Sequence, residues 1–280
     1  MSRVLVCVDL SYQVYRASAA HPMLTSRRHF TGGLYGFFTS LAKCLRETRA
    51  TDIAICQDRK PYRRSLDYPD YKMIRKSTAD QDLLKMHKES MALVLEVLEV
   101  LGIPIWGVDG FESDDLIGYI TRRDRHRYTR IYAASNDSDL WQLLDFRNFF
   151  LYAGNGIADI DKPRDKLREL QLTPEQYMVA TAMIGTHNDI EGIPRCGIVT
   201  ATKALKDPQL MRNFRLLYGS VIDRNLALIQ LPHPVFPRNT PRPDWTEPFN
   251  EREFYRVMGK YDIDVTASMV KGFQQLKGQT

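Results

Sequence analysis

Four short apolar runs in the first half of the chain each lead into acidic residues. Residues 3–8 (RVLVCV) run into Asp9, and residues 53–57 into Asp58. Residues 103–108 precede Glu112, Asp114 and Asp115, and residues 131–135 precede Asp137 and Asp139. Runs this short, rich in Val and Ile and without polar alternation, suit strands buried on both faces. Between them, residues 33–46 and 82–101 have helical apolar spacing, the second closing at Gly102 before Pro104. A further helix is expected to open over residues 114–121, and a fifth strand over 149–152. Strands alternating with helices predict an α/β fold with a mostly parallel central sheet flanked by helices.

That layout gathers the acids. In a parallel sheet the C-terminal strand ends lie along one edge, where open α/β sheets place their ligands. Asp9, Asp58, Glu112, Asp114, Asp115, Asp137 and Asp139 would then converge on one crevice. Each alone has a structural explanation, because Asp after a strand often forms a turn or caps a helix. Together they would repel and raise one another's pKa unless cations were present. Oxygen ligands without His or Cys favour Mg²⁺ or Mn²⁺. Two such ions about 3.5–4 Å apart suit phosphodiester hydrolysis. No Ser/His/Asp pattern, Walker-type loop or GxGxxG motif competes.

The charge is equally localised. The net charge of +5 comes from 39 basic and 34 acidic residues. Residues 59–76 (RKPYRRSLDYPDYKMIRK) hold seven of the basic and two of the acidic ones, so the rest balance at 32 each. Interleaved with Tyr62, Tyr68 and Tyr71, this stretch has the composition of a phosphate-tracking, base-stacking element, or else of a solvated loop. It directly follows an acid-bearing strand end and can hang over the crevice.

The hydrophobic fraction of 44% excludes disorder of the whole chain. No run approaches the ~18–20 apolar residues of a membrane span. The start, MSRVLVCVDL, lacks a signal-peptide pattern. Cys7, Cys44, Cys56 and Cys196 form no CxxC pair. A cytoplasmic protein with reduced thiols is expected, and a monomer. Beyond about residue 161 the strand signal fades. Helices are expected over 163–170, 174–184 and 198–205, with a Gly/Pro turn at 190–197 and a final helical stretch over about 250–276. Residues 232–248 hold six of the 14 prolines and should be extended. The expected division is an α/β core at 1–160 and a helical region at 161–280.

The chain resembles the flap endonuclease / 5′→3′ exonuclease family, particularly the bacteriophage 5′ nucleases and the 5′-nuclease domain of bacterial DNA polymerase I. The resemblance lies in VDLSYQVYRA, QDRKPYRR, PDYKMIRK, FESDDLIGYI, SNDSDLWQLL and IGTHNDIEGIPRCGIVTATKAL, in the family's order, with a weaker echo in RNLALIQLP. It implies a PIN-like sheet and a helical arch at about 59–86. A helix–hairpin–helix-like motif is implied at about 183–205. Lys72 and Arg64 match basic residues that contact the scissile phosphate. Tyr71 and Arg75 match neighbouring DNA-contacting positions, although Ile74 replaces an Asn, and Lys76 extends the basic run. Gly192, Gly197 and Thr200 match the hairpin, which in the family often holds K⁺. Arg195 stands there for a Gly and Val199 for a Lys, with Arg195 and Lys203 expected to compensate.

A larger departure precedes the hairpin. The family's Gly-Asp-x-x-Asp-Asn becomes Gly185-Thr186-His187-Asn188-Asp189-Ile190. Thr186 replaces the first acid, and Asp189 matches the second metal-binding acid only after a one-residue shift. His187 reads as a loop residue or phosphate contact rather than a ligand. The resemblance implies a Mg²⁺-dependent nuclease acting on 5′ flaps and 5′ ends of DNA or RNA–DNA hybrids, as in primer removal. A replication polymerase or single-strand-binding protein is the expected partner. No polymerase segment follows, so a stand-alone phage-type enzyme is expected. A PIN-like endoribonuclease and a nucleic-acid-binding protein with a degraded site are the alternatives.

Overall fold

The apolar runs do form strands buried on both faces. A computed structural model describes residues 2–74, 80–243 and 248–276. In chain order the first elements are β1 (Val4–Asp9), α1 (Leu10–Ala20), a small hairpin of β2 (Thr25–Ser26) and β3 (His29–Phe30), and α2 (Gly32–Thr48). Then come β4 (Asp52–Cys56), α3 (Arg63–Asp67), α4 (Gln81–Val100), β5 (Ile105–Trp106), α5 (Ser113–Asp124), β6 (Arg130–Ala134) and β7 (Phe149–Leu151). The sheet order is β5-β4-β1-β6-β7, and every neighbouring pair is parallel. β1 is central: Val4, Val6 and Val8 enter one core with Phe37, Phe38 and Val94, while Leu5 and Cys7 enter another with Leu116, Ile131 and Phe149. Since all six residues of β1 are buried, alternation has nothing to encode and the run reads as uniformly apolar.

β5 is shorter than the run at 103–108 predicts. After Trp106 the chain turns at Gly107, where a Cβ would meet the Arg59 side chain, and at Gly110, whose φ is +88°. That turn delivers Glu112 to the start of α5.

The second half adds α6 (Lys162–Leu170) and α7 (Pro174–Ile184), a hairpin of β8 (Gly185–Thr186) and β9 (Ile190–Glu191), and α8 (Ile198–Lys206). The 22-residue helix α9 (Pro208–Ile229) has no counterpart in the sequence reading. It is interrupted at Tyr218 (φ −131°), and Leu216 and Leu217 beside that break are exposed, which spoils its helical periodicity. The single terminal helix expected over 250–276 is two, α10 (Glu251–Gly259) and α11 (Ala267–Gln274). Asp262, at φ +52°, lies in the turn between them. Both helices send Phe254, Val257, Val270 and Phe273 into the core shared by β1 and α2. They thus extend the sheet's packing, although they lie within residues 161–280. Gly272 lies so close to Ala42 that a Cβ would fall 2.6 Å from its carbonyl oxygen. The four cysteines are buried free thiols. Among the described residues no helix is long and apolar enough to cross a membrane.

Candidate functional site

β1 lies at the point where the strand order reverses, with β4 on one side and β6 on the other. Asp9 ends β1, Asp58 lies just past β4, and Asp137 just past β6. α5 starts beneath them. The Ser113 amide donates to Asp58 Oδ1 at 2.7 Å, and the Ser113 hydroxyl donates to Asp9 Oδ1 at 3.0 Å. One buried serine therefore fixes two carboxylates, a role with no signal in the sequence reading. The structural explanation also holds: Asp9 caps α1 through the Tyr12 amide, and Asp137 accepts from the Asp139 amide.

The field at this edge is strongly negative. Burial, then Asp58, pushes the Asp9 carboxyl up to about 7, partly offset by Tyr12 and Ser113. Burial and Asp137 push Asp139 up to about 7. Burial, Asp137 and Asp9 hold Asp114 well above the usual carboxylate range. Asp114 Oδ1 is shut off from solvent and has no hydrogen-bond partner among the described residues. Such an orphaned anionic oxygen costs several kcal/mol unless a cation meets it. The all-oxygen donor set and that orphan fit a hard divalent ion. Among the described residues no three acidic, His or Cys side chains are drawn tightly enough to hold one as they stand.

Cations of the chain already occupy one side. Lys72 Nζ donates to Glu112 Oε1, and Tyr71 Oη donates to Glu112 Oε2 at 2.7 Å. Burial opposes the Lys72 charge, but Glu112 outweighs it and the pKa rises. Burial likewise opposes the Glu112 charge, but Lys72 and Arg64 pull its pKa below the usual value. Lys72 has φ +57°, and its amide donates to the Asn188 carbonyl at 2.9 Å. Asn188, buried in the β8–β9 turn, lines the same cavity as Lys72, Asp114 and Asp139, another contributor absent from the sequence reading.

Several expected contacts have different surroundings. Arg64 is 4% exposed, and all five of its N–H groups are used within the protein. Nε donates to the Leu228 carbonyl, Nη1 to Glu112 and Asp115, and Nη2 to Asp115 and the Gln230 carbonyl. Asp115 also accepts from the His233 amide at 2.7 Å and the Glu112 amide at 3.2 Å. Arg64 thus lines the same cavity as Lys72 and Asp114, but with its donors spent within the protein, and together with Asp115 it ties α3 to α5 and to the end of α9. Of the three expected base-stacking tyrosines, Tyr62 and Tyr71 are buried against Ala182, Ile190, Leu228 and Ile229, and Tyr68 is half-buried with Arg224 over its ring. The basic segment folds down onto α7 and α9, because burying two aromatic rings outweighs leaving them in water. Asp189 Oδ2 accepts from the Ile74 amide at 2.9 Å, joining the hairpin to the arch segment. Thr186 Oγ1 accepts from the Asn188 amide, stabilising the turn, and His187 is exposed. The positions expected for Arg75 and Lys76 lie outside the described residues.

The hairpin region has a small core of its own, which includes Ala180, Ile193, Ala201 and Ile222. A Cβ on Gly192 would sit 2.1 Å from the Ile184 carbonyl oxygen, so only glycine permits this approach. Arg195 has φ +60°, the conformation that a Gly there would adopt without strain. Gly197, exposed and open, is the N-cap of α8, with Thr200 in the first turn, and no side chain caps that N-terminus. Arg195 and Lys203 are exposed beside it.

The family profile described as the 5′-3′ exonuclease, N-terminal resolvase-like domain, matches residues 4–171. DNA polymerase I of Mycobacterium tuberculosis is 28% identical over 276 residues, covering 92% of this chain and 30% of that protein. DNA polymerase I of Bacillus caldotenax is 31% identical over 211 residues, covering 74% and 24%. The chain thus spans less than a third of the length of these relatives. A bacteriophage T5 flap endonuclease complex with DNA and metal ions superposes with a TM-score of 0.65 at 18% identity, covering 82% of this chain and 90% of that one. The flap endonuclease of Methanococcus jannaschii superposes with a TM-score of 0.59 at 13% identity, covering 98% and 93%. These likenesses establish the same sheet architecture. With the profile running through every acid-bearing strand end, the chain belongs to the 5′-3′ exonuclease family.

Proposed function

We propose that the chain is a divalent-metal-dependent, structure-specific 5′ nuclease that hydrolyses phosphodiester bonds at 5′ flaps and 5′ ends of DNA. The observation that carries this reading is Asp114, a shielded carboxylate with an orphaned oxygen, set among Asp9, Asp58, Asp137 and Asp139 and facing Lys72. Asp9, Asp58, Glu112, Asp114, Asp137 and Asp139 would hold two Mg²⁺ or Mn²⁺ ions. When bound, these would supply an activated water and neutralise charge developing at the phosphate. Lys72 is the chain's own cation at that spot: on leaving Glu112 it can pair with the scissile phosphate. Ser113 holds Asp9 and Asp58 in place. The α8 N-terminus with Arg195 and Lys203 would grip duplex phosphates, with K⁺ as an expected companion there. Asp115 and Asp189 serve as braces, towards Arg64 and Ile74.

A 5′-labelled flap substrate tests this. Wild type should release short 5′ products with Mg²⁺ and none with chelator, and Asp137→Asn should release none. Lys72→Ala should lower turnover of bound substrate by ~100-fold while changing affinity little. Cleavage restricted to single-stranded RNA, or tight DNA binding without cleavage, would defeat the proposal.

The acid cluster also sets a pH dependence. The folded carboxyls of Asp9 and Asp139 titrate near 7, above their unfolded values near 4. Below about pH 4 both states are protonated and the penalty is absent. As pH rises to about 7 the unfolded state gives up protons first, so stability falls. The chelated protein should therefore lose at least roughly 2–3 kcal/mol between pH 5 and 8, with Asp9 and Asp139 both contributing. Mg²⁺ should restore stability at pH 8 and change little at pH 5. Thermal melts at both pH values check this, and a chelated protein that became more stable with rising pH would refute it.

A further inference from the structure

The balanced charge outside residues 59–76 hides a second basic cluster, far from the crevice. Residues 121–130 read TRRDRHRYTR, with five arginines and one aspartate. They span the end of α5 and the start of β6, at the N-terminal edge of the sheet. Arg130 pairs with Val4 at the bottom of β1, whereas Asp9 stands at its top. Six strand residues separate the two edges by about 17–20 Å. Arg147 joins the cluster: Asn148 beside it donates to the Arg125 and Tyr128 carbonyls at 2.9 Å, and its own carbonyl accepts from the Ile131 amide.

Two features distinguish this cluster from an ordinary solvated face. First, two of its guanidinium groups, with two more from neighbouring segments, are pinned over aromatic rings. Arg122 and Arg125 lie 5.6 and 4.7 Å from the centre of the Phe146 ring, and Arg3 and Arg242 lie 5.0 and 6.0 Å from that of Tyr128. Second, the positive charge is under-compensated. Asp124 is taken by Arg123 and Arg127, and Asp52 by Arg3. Among the described residues no ion pair joins Arg122, Arg125, Arg130 or Arg147 to a carboxylate, although all four are exposed. A pinned guanidinium presents its N–H edge with little entropy left to lose, which suits bidentate capture of an oxyanion.

The substrate's own strands are poor occupants. A duplex gripped at the opposite edge has a persistence length of about 150 bp and cannot turn round the sheet to reach this one. A single strand could reach it, but single strands bind largely by stacking bases on open aromatic faces. Here Phe146 and Tyr128 already carry arginines. We infer that this face docks an acidic segment of a partner protein, its carboxylates bridged by Arg122, Arg125, Arg130 and Arg147, while the crevice, arch and α8 stay open to DNA. Charge complementarity of this kind chiefly governs encounter and choice of partner.

The test uses the whole chain and a fluorescein-labelled ten-residue Asp/Glu peptide, read by anisotropy at low salt. The triple variant Arg125→Glu/Arg130→Glu/Arg147→Glu should bind the peptide at least tenfold more weakly. Lys60→Glu/Arg63→Glu, at the other edge, should bind it as wild type does. The triple variant should keep wild-type affinity for a labelled blunt duplex. If it melts early, the Arg→Gln version at the same positions is judged by the same criterion. Absence of measurable peptide binding, equal weakening by the Lys60/Arg63 variant, or a matching loss of duplex affinity in the triple variant would each overturn the inference, the last by making this a nucleic-acid surface.

Discussion

Asp114→Asn should abolish most of the nuclease activity and make the metal-free protein more stable. The two effects share one cause. Asp114 Oδ1 is buried without a partner, and Asp137, Asp9 and Glu112 all act on it as like charges. Burial and those like charges oppose ionisation of that carboxyl in the folded chain, whereas in the unfolded chain it ionises freely. An amide of the same shape removes the charge and should raise unfolding free energy by about 1–2 kcal/mol with chelator present. It also removes a charged donor from the proposed ion-binding edge. Turnover of a 5′ flap with Mg²⁺ should then fall by about a thousandfold, the scale for losing one preorganised electrostatic contact in a shielded site. The gain in stability should vanish once Mg²⁺ is added, because wild type then has its counter-ion. Urea melts with chelator and with Mg²⁺, alongside flap cleavage, make the comparison. A variant less stable than wild type in chelator would mean that Asp114 makes a favourable contact instead. Sites built for function commonly sacrifice stability in this way.

The elements that were legible from sequence are those whose residues encode one environment throughout. β1 is buried on both faces, and α7 carries its own capping box between Thr173 and Gln176, so its predicted bounds match. The gathering of acids also followed from sequence, because parallel topology alone places strand ends together. What escaped was set by contacts between distant segments. Ser113 looks like any helix-start serine until Asp9 and Asp58 are brought onto it. Tyr62 and Tyr71 suit base stacking by composition, and only the packing of α7 and α9 buries them. α9 itself was hidden by its break at Tyr218 and by the exposed Leu216 and Leu217. Arg195 shows the reverse: a departure from a glycine pattern, with the left-handed backbone that the pattern requires retained.

Arg64→Ala should destabilise the protein by about 3–5 kcal/mol, close to the limit of what a chain of ordinary stability tolerates. The reason lies in what the guanidinium leaves behind. Asp115 is fully buried and takes two N–H groups of Arg64, at 2.5 and 2.8 Å. Burial opposes the Arg64 charge, but Asp115, Tyr71 and Glu112 outweigh it. Without Arg64, Asp115 would keep only the backbone amides of Glu112 and His233, and the Leu228 and Gln230 carbonyls would lose their donors. Arg64→Lys keeps a charge but not the fork, so one ammonium cannot bridge α5 and α9 together, and only part of the loss should be recovered. Family resemblance suggests another role, contact with the scissile phosphate, and the two predict different measurements. A phosphate contact would lower turnover of bound substrate and leave urea melts unchanged. A brace would move the melts first, with turnover falling because Glu112 and Lys72 lose their register. Melts of Arg64→Ala within 1 kcal/mol of wild type, with turnover reduced, would show that Arg64 swings out to substrate and that the buried arrangement is a resting state.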